Sequence, residues 1–271
     1  MLMRIASDLH LEQWADMDVA ALEINHLPKD DRDLGSVLVL AGDISSSPTQ
    51  LVAFIKQVEQ RFKHVIYLAG NHEWYRHEVT AVVPYTESLF KEYTVNTSRE
   101  LGGVGVKIIE GTKFIFGTLW ADGGSTAFDR MAVERGLWDF NIIRVNGLRF
   151  TVARMQAIHK AQKAQIIAAL KEPFDGVTVV ATHHMPSYRL CHPRFGTDIN
   201  GGFASNCEDI LAYDMAPDFW VFGHTHDVID TKIFNTRCIS NPSGYRNEKD
   251  TCYNDYCMGP KFFELETTSV T

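Results

Sequence analysis

The sequence predicts an α/β fold in which two mixed β-sheets pack face to face and helices lie outside them. Three observations carry that expectation. Apolar, β-branched runs of strand length recur, as in Val37-Leu38-Val39-Leu40-Ala41 and Val177-Thr178-Val179-Val180-Ala181. Such near-continuous runs are typical of strands covered on both faces. Segments with a 3.6-residue apolar period lie between them, as amphipathic helices require. Finally, short pieces carrying Asp, Asn or His follow directly on the apolar runs, and α/β sheets collect ligands at the carboxyl ends of their strands.

The elements follow in order. Met3 to Ala6 reads as a strand leading into Asp8, and Val37 to Ala41 as a second. Ser45 to Ser47 with Pro48 can start a helix, since Pro fits the first turn. That helix is expected from Thr49 to Phe62, with Leu51, Phe54, Ile55 and Val58 on one face. His64 to Ala69 is the third strand. Val104 to Ile109 and Lys113 to Thr118 form an antiparallel pair around Glu110-Gly111-Thr112. Trp120 to Phe150 is less regular, with Gly123-Gly124 and several charges, and is expected as an excursion near the site rather than core. Thr151 to Lys171 is a helix with Met155, Ile158, Ile166, Ile167 and Leu170 on its apolar side. Val177 to Ala181 and Asp218 to Phe222 are buried strands. Arg237 to Ser240 and Lys261 to Glu266 are expected to finish the second sheet.

Composition restricts the class of protein. The 271 residues are 45% hydrophobic and 22% charged, which is ordinary for a globular chain. No linker, charge block or repeat divides it, so residues 1–271 are expected to form a single domain, with 120–150 as an excursion or lid. The formal charge of −8 comes without a visible basic stripe, which argues against a protein living on long nucleic acid. No basic, then apolar, leader and no run of about 18 apolar residues is present, so a cytoplasmic protein without a membrane span is expected. Five cysteines, odd in number and widely spaced, suit free thiols better than a disulfide framework. Cys252 and Cys257 are the one pair spaced for a zinc or a disulfide.

Chemistry is carried by five pieces: Asp8-Leu9-His10, Gly42-Asp43, Gly70-Asn71-His72-Glu73, Thr182-His183-His184 and Gly223-His224-Thr225-His226. Each alone has a structural explanation, because Gly-Asp and Gly-Asn are common turn dipeptides. Together they offer more Asp, Asn and His ligands than one tetrahedral ion needs. These ligands suit two divalent ions, Mn first, with Fe, Zn, Co or Ni as alternatives. Asp43 stands alone in its piece and has two oxygens, which makes it the natural bridge. Two ions about 3.5–4 Å apart clamp the attacking and leaving oxygens of an in-line phosphoryl displacement and supply a hydroxide at neutral pH.

The five pieces in this order resemble the calcineurin-like metallophosphoesterase superfamily, over residues 3 to about 246. The resemblance implies a four-layer α/β/β/α sandwich. It also implies that Asp8, His10 and His226 hold one ion, that Asn71, His183 and His224 hold the other, and that Asp43 bridges. His72 is implied to be a catalytic group rather than a ligand, either donating to the phosphoryl oxygens or protonating the leaving group. The protein-phosphatase form of the second piece, GDxxDRG, is missing: Gly42-Asp43 runs on into Ile44-Ser45-Ser46-Ser47. A protein phosphatase is therefore disfavoured, and the chain resembles the small bacterial and phage members, whose Asn-Pro-Ser-Gly-Tyr segment it shares at Asn241 to Tyr245.

The expected function is hydrolysis of a small phosphodiester or phosphomonoester, a nucleotide among the candidates. A nuclease is the alternative, and a non-catalytic scaffold stands behind both. Candidate substrate contacts are His184, Arg189 and Arg194, with Tyr75 as a stacking platform. His77 and His192 are expected at the surface.

Overall fold

The computed structural model describes residues 1–14, 18, 27–76, 103–196, 198–248 and 261–265. Its first sheet has the order β12 (Phe262–Glu264), β1 (Leu2–Ala6), β2 (Ser36–Ala41), β3 (His64–Leu68), and its second β10 (Ile229–Ile233), β11 (Thr236–Ser240), β9 (Phe219–Phe222), β8 (Val177–Ala181), β5 (Thr112–Phe116), β4 (Gly105–Ile109). In the first, β1, β2 and β3 are parallel, and β12 runs antiparallel to β1. In the second, β5, β8, β9 and β11 are parallel. Antiparallel edges close it, with β4 on one side and β10 on the other.

The alternation of side chains explains the layers. Met3, Ile5, Val37, Val39, Ile66 and Leu68 face Phe114, Phe116, Val179, Ala181 and Val221 in one buried cluster between the sheets. The other face of the first sheet, including Leu38, Leu40, Val65 and Tyr67, packs on α1 (Pro48–Val58) through Leu51, Phe54, Ile55 and Val58. The other face of the second sheet, including Ile115, Val180 and Trp220, packs on Ile166 and Leu170 of a long helix, Val152–Lys171. Burying each such side chain contributes roughly 1.5–3 kcal/mol. Because both faces of the central strands are covered, those strands are mostly apolar, and the expected helix/sheet/sheet/helix sandwich is the observed one.

Three differences from the sequence expectation have physical reasons. The strand at 262–264 belongs to the first sheet, where it covers the edge of β1, with Leu265 N–H bonded to the Met1 carbonyl at 2.9 Å. Strand pairing is non-local, and an alternating segment says nothing about which edge it will meet. The strand at 229–233 was unexpected because three of its five residues, Asp230, Thr231 and Lys232, are exposed, as befits a protected edge. The stretch 120–150 contains α2 (Ala127–Gly136), α3 (Asp139–Ile142) and a hairpin of β6 (Arg144–Val145) and β7 (Leu148–Arg149). It is not peripheral: Trp120, Val133, Phe140, Ile143 and Phe150 are fully buried in the core beneath the first sheet. A capping box, Thr126 with Asp129, starts α2 and was readable as such. Val152–Lys171 is then α4, and a short α5 (Glu208–Leu211) follows.

Candidate metal centre

All five chemical pieces lie just beyond the carboxyl ends of parallel strands. β1 delivers Asp8 and His10, β2 delivers Asp43, and β3 delivers Asn71 and His72. Across the sandwich, β8 delivers His183, and β9 delivers His224 and His226. The backbone there is unusual. Asp8, His10, Asp43, His224 and His226 all adopt left-handed conformations, with φ between 47° and 65°. Asp and His tolerate that region better than most residues, and it turns consecutive side chains toward one point.

Glycines let the loops approach. A Cβ at Gly70 would sit 2.2 Å from Asp43 Oδ1, and one at Gly223 would sit 2.6 Å from Asp8 Oδ2. Gly42, at φ 84°, has no room for a Cβ beside the Gly70 backbone. Glu73 ties two of the loops together, accepting backbone N–H bonds from Gly70 at 2.7 Å, Asp43 at 3.1 Å and Ile44 at 2.7 Å. Burial and the charge of Asp43 push its carboxyl up to about 7, against the pull of His183 and these N–H donors.

The candidate ligand atoms converge as coordination would require. His10 Nε2 and His226 Nε2 are 3.2 Å apart, and His226 Nε2 is 3.5 Å from Asp8 Oδ1. His183 Nε2 lies 3.0 Å from Asn71 Oδ1 and 3.4 Å from Asp43 Oδ1. Ligands held at about 2.0–2.2 Å from one ion stand roughly this far apart. Two trios of donor atoms, Asp8/His10/His226 and Asp43/His183/His224, each lie within 4.8 Å of one another. Asp43 faces both sides, since its Oδ2 is 3.9 Å from His10 Nε2. The buried Nε2 of His224 has no hydrogen-bond partner among the described residues, which suits a nitrogen whose partner is an ion. The residues therefore fit two divalent cations.

Outer partners aim the inner atoms, as metal sites generally require. His183 Nδ1 is 2.9 Å from the Ala41 carbonyl and His226 Nδ1 is 2.6 Å from Glu248, so each ring turns Nε2 inward. Glu12 lies 3.4 Å from His10 Nδ1. The Asn71 side-chain N–H donates to Asp139 at 2.8 Å, which directs its oxygen toward His183. Tyr75 donates to the same Asp139 oxygen at 2.6 Å.

His72 stands beside these groups. Its Nε2 is 3.0 Å from Tyr245 Oη and 3.9 Å from Asp43 Oδ2, and its ring stacks on Tyr75 at 4.0 Å. Burial lowers its pKa, but Asp43 and Glu12 outweigh burial and raise it. The donor atoms of His10, Asp43 and His72 also lie within 4.8 Å of one another. A cavity of about 210 Å³ opens over the group, walled in part by Tyr75, Trp138, Phe203 and Tyr245.

The other candidates lie as follows. His184 is fully buried, its ring 4.3 Å from that of His224 and 5.4 Å from Trp120. Burial and the charge of His183 hold its pKa well below the usual range. Arg189 is engaged by Glu208 in a two-pronged pair at 2.9 Å and does not line the cavity. Arg194 pairs with Asp227 at 2.7 Å, next to His226. His192 is exposed, and Cys191, Cys207 and Cys238 are free thiols. His77, Cys252 and Cys257 lie outside the described residues. Sequence reasoning did not single out Glu12, Asp139 or Glu248 as parts of the site. No spacing connects them to the five pieces, and only the fold brings them there.

The family model for calcineurin-like phosphoesterases matches residues 2–228. The chain belongs to that family. As a calcineurin-like phosphoesterase it is a metal-dependent phosphoric ester hydrolase, and all five pieces lie within the matched residues. Its fold is similar to that of the phosphopantetheinyl hydrolase from Mycobacterium tuberculosis, with a TM-score of 0.67 at 15% identity over 92% of this chain and 93% of the other. A Staphylococcus aureus structure named for a 5′-nucleotidase aligns at a TM-score of 0.47 and 15% identity, over 88% of this phosphoesterase and 48% of that chain, too loosely to carry an argument. No curated protein matches the sequence. Among the described residues, no helix is long and apolar enough to cross a membrane.

Proposed function

We propose that this phosphoesterase uses two divalent ions to hydrolyse a small phosphodiester or phosphomonoester, a nucleotide among the candidates, by in-line displacement. The observation that carries the reading is the pair of Asp43 oxygens, one facing His183 at 3.4 Å and the other facing His10 at 3.9 Å. Asp8, His10 and His226 would hold one ion, Asn71, His183 and His224 the other, and Asp43 would serve both. When bound, the ions polarise phosphoryl oxygens and bring the pKa of water toward neutrality. The mixed nitrogen and oxygen set accepts Mn, Fe, Zn, Co or Ni, and Mn is the ion we expect.

The chain's own residues supply the rest. His72 carries a proton on Nε2 at the cavity and passes it to the leaving oxygen. Tyr245, at 3.0 Å, and the stacked Tyr75 hold the ring in that orientation. Glu12, 3.7 Å from Nδ1, favours the charged ring that a proton donor needs. A 210 Å³ cavity is below the usual range for drug-sized ligands and fits one phosphate ester group. Residues 1–271 act as one domain in which the 120–150 stretch walls the cavity through Leu137, Trp138 and Asp139.

The test is a metal count by atomic emission together with kcat/KM on matched chromogenic phosphate diesters and monoesters, with Mn²⁺ and after chelation. Two ions per chain and turnover lost on chelation are expected. One ion, or turnover indifferent to chelation, sinks the reading.

A further inference from the structure

A larger cleft lies behind the wall of the active-site cavity. Its volume is about 790 Å³, and it runs between α2 and the start of α4, with Arg130, Arg135, Arg149, Glu134, Asn141 and Gln156 among its lining residues. The same short segment separates the two spaces: Leu137, Trp138 and Asp139 face the active-site cavity, while Arg135 and Asn141 face the cleft. Two residues of chain span at most about 7 Å, so the sites are close neighbours.

The charge in this cleft is unbalanced. None of its three guanidiniums pairs with a carboxylate among the described residues. Arg149 is oriented by the Phe140 carbonyl and by Asn141 Oδ1 at 3.1 Å, and Arg130 makes only a long contact, 3.4 Å, to the Ser125 carbonyl. Glu134, the one carboxylate in the lining, accepts the Val152 N–H at 3.3 Å. Nearby carboxylates are absorbed elsewhere: Asp129 caps α2, and Asp139 bonds Asn71 and Tyr75. On a chain of net charge −8 this is a local concentration of unneutralised Arg. Guanidinium forks match the geometry of phosphate oxygens.

We propose that the cleft is a second phosphoryl-anion site, which takes a phosphate group of a nucleotide-sized molecule. The inference goes beyond the hydrolytic site, and its binding test does not depend on hydrolysis. The phosphate has two sources to distinguish: a distal phosphate on the substrate itself, or a separate phosphate-bearing molecule.

The experiment compares the wild-type full chain with the triple variant Arg130→Gln, Arg135→Gln, Arg149→Gln. The single variant Arg135→Gln, at an exposed position, serves if the triple does not fold. Calorimetric titration of chelator-treated protein with inorganic pyrophosphate should show a site in the wild type that is weakened at least about tenfold in the variant, the worth of one or two charge-assisted hydrogen bonds. Equal binding in both, or no binding to the wild type, overturns the proposal. Kinetics of the Mn²⁺-loaded proteins on thymidine 5′-(p-nitrophenyl phosphate), with and without a 3′-phosphate, then separate the sources. A KM lowered by the 3′-phosphate in the wild type alone assigns the cleft to the substrate. Pyrophosphate binding lost in the variant with unchanged KM values assigns it to a separate molecule.

Discussion

At Asp43 a left-handed backbone, φ 54°, meets a carboxylate that is 1% exposed and faces histidines on both sides. Asp43→Asn removes the charge and keeps the shape. Loss of kcat by three orders of magnitude or more is expected, because both metal clamping and nucleophile activation depend on this group. The bound-metal count should fall below two; near-normal turnover with two ions retained would remove Asp43 from the bridging role. His72 gives a complementary test. His72→Gln should lower kcat by about 10²–10⁴ while leaving metal content unchanged. A lost ion would instead make His72 a ligand, as its distance from His10 and Asp43 permits. Gly70 shows how far the glycines constrain the site. Gly70→Ala drives a Cβ into Asp43 Oδ1 and the Asp43 backbone, at a cost of about 1–3 kcal/mol of strain, and should lower thermal stability and metal content together.

α3 shows what an element can contribute that its composition does not reveal. It is four residues long, yet it carries Asp139 into contact with Asn71 and Tyr75. Burial raises the Asp139 carboxyl pKa even against those two donors and His72. Asp139→Asn would allow the Asn71 amide to rotate and present nitrogen instead of oxygen to the site. Metal affinity should fall about 10–100-fold, the usual effect of losing an outer partner, with the melting curve of the metal-free protein little changed. An equal fall for both ions would argue against a specific action through Asn71. The helices α1 and α4 were legible from their apolar spacing, because each lays one face on a sheet. α2 was not, because only Val133 of its ten residues is buried and no apolar face shows, and α3 and the hairpin of 144–149 are too short for a period to emerge.

Across the whole molecule, metal binding is coupled to protons and to stability. Burial lowers the His183 and His226 pKa values, but Asp43 outweighs it for His183 and raises that ring to about 9. For His226, Asp8 and Glu248 raise the ring to about 10. The metal-free site therefore holds both rings protonated at neutral pH. A ligand nitrogen must lose its proton to bind an ion. Uptake should release protons, and affinity should rise with pH until those values are passed. Calorimetry in two buffers of different ionisation enthalpy measures the release; none at pH 7 would contradict the protonated resting state. At a metal concentration one hundred times Kd, binding should add about 2.7 kcal/mol of stability and raise Tm by on the order of 5–10 °C.

The division between sequence and fold follows range. Buried strands, the two long helices and the five ligand-bearing turns were readable from the chain, because burial on two faces, helical period and turn chemistry are local constraints. Order along the chain was enough to suggest one dinuclear site. Which edge the strand at 262–264 would join, that Trp120 to Phe150 packs into the core, and that Glu12, Asp139 and Glu248 stand behind the candidate ligands were decided only in three dimensions. These depend on contacts between residues far apart in sequence, such as Glu248 with His226 and Asp139 with Asn71, and no local pattern of residues encodes such distances.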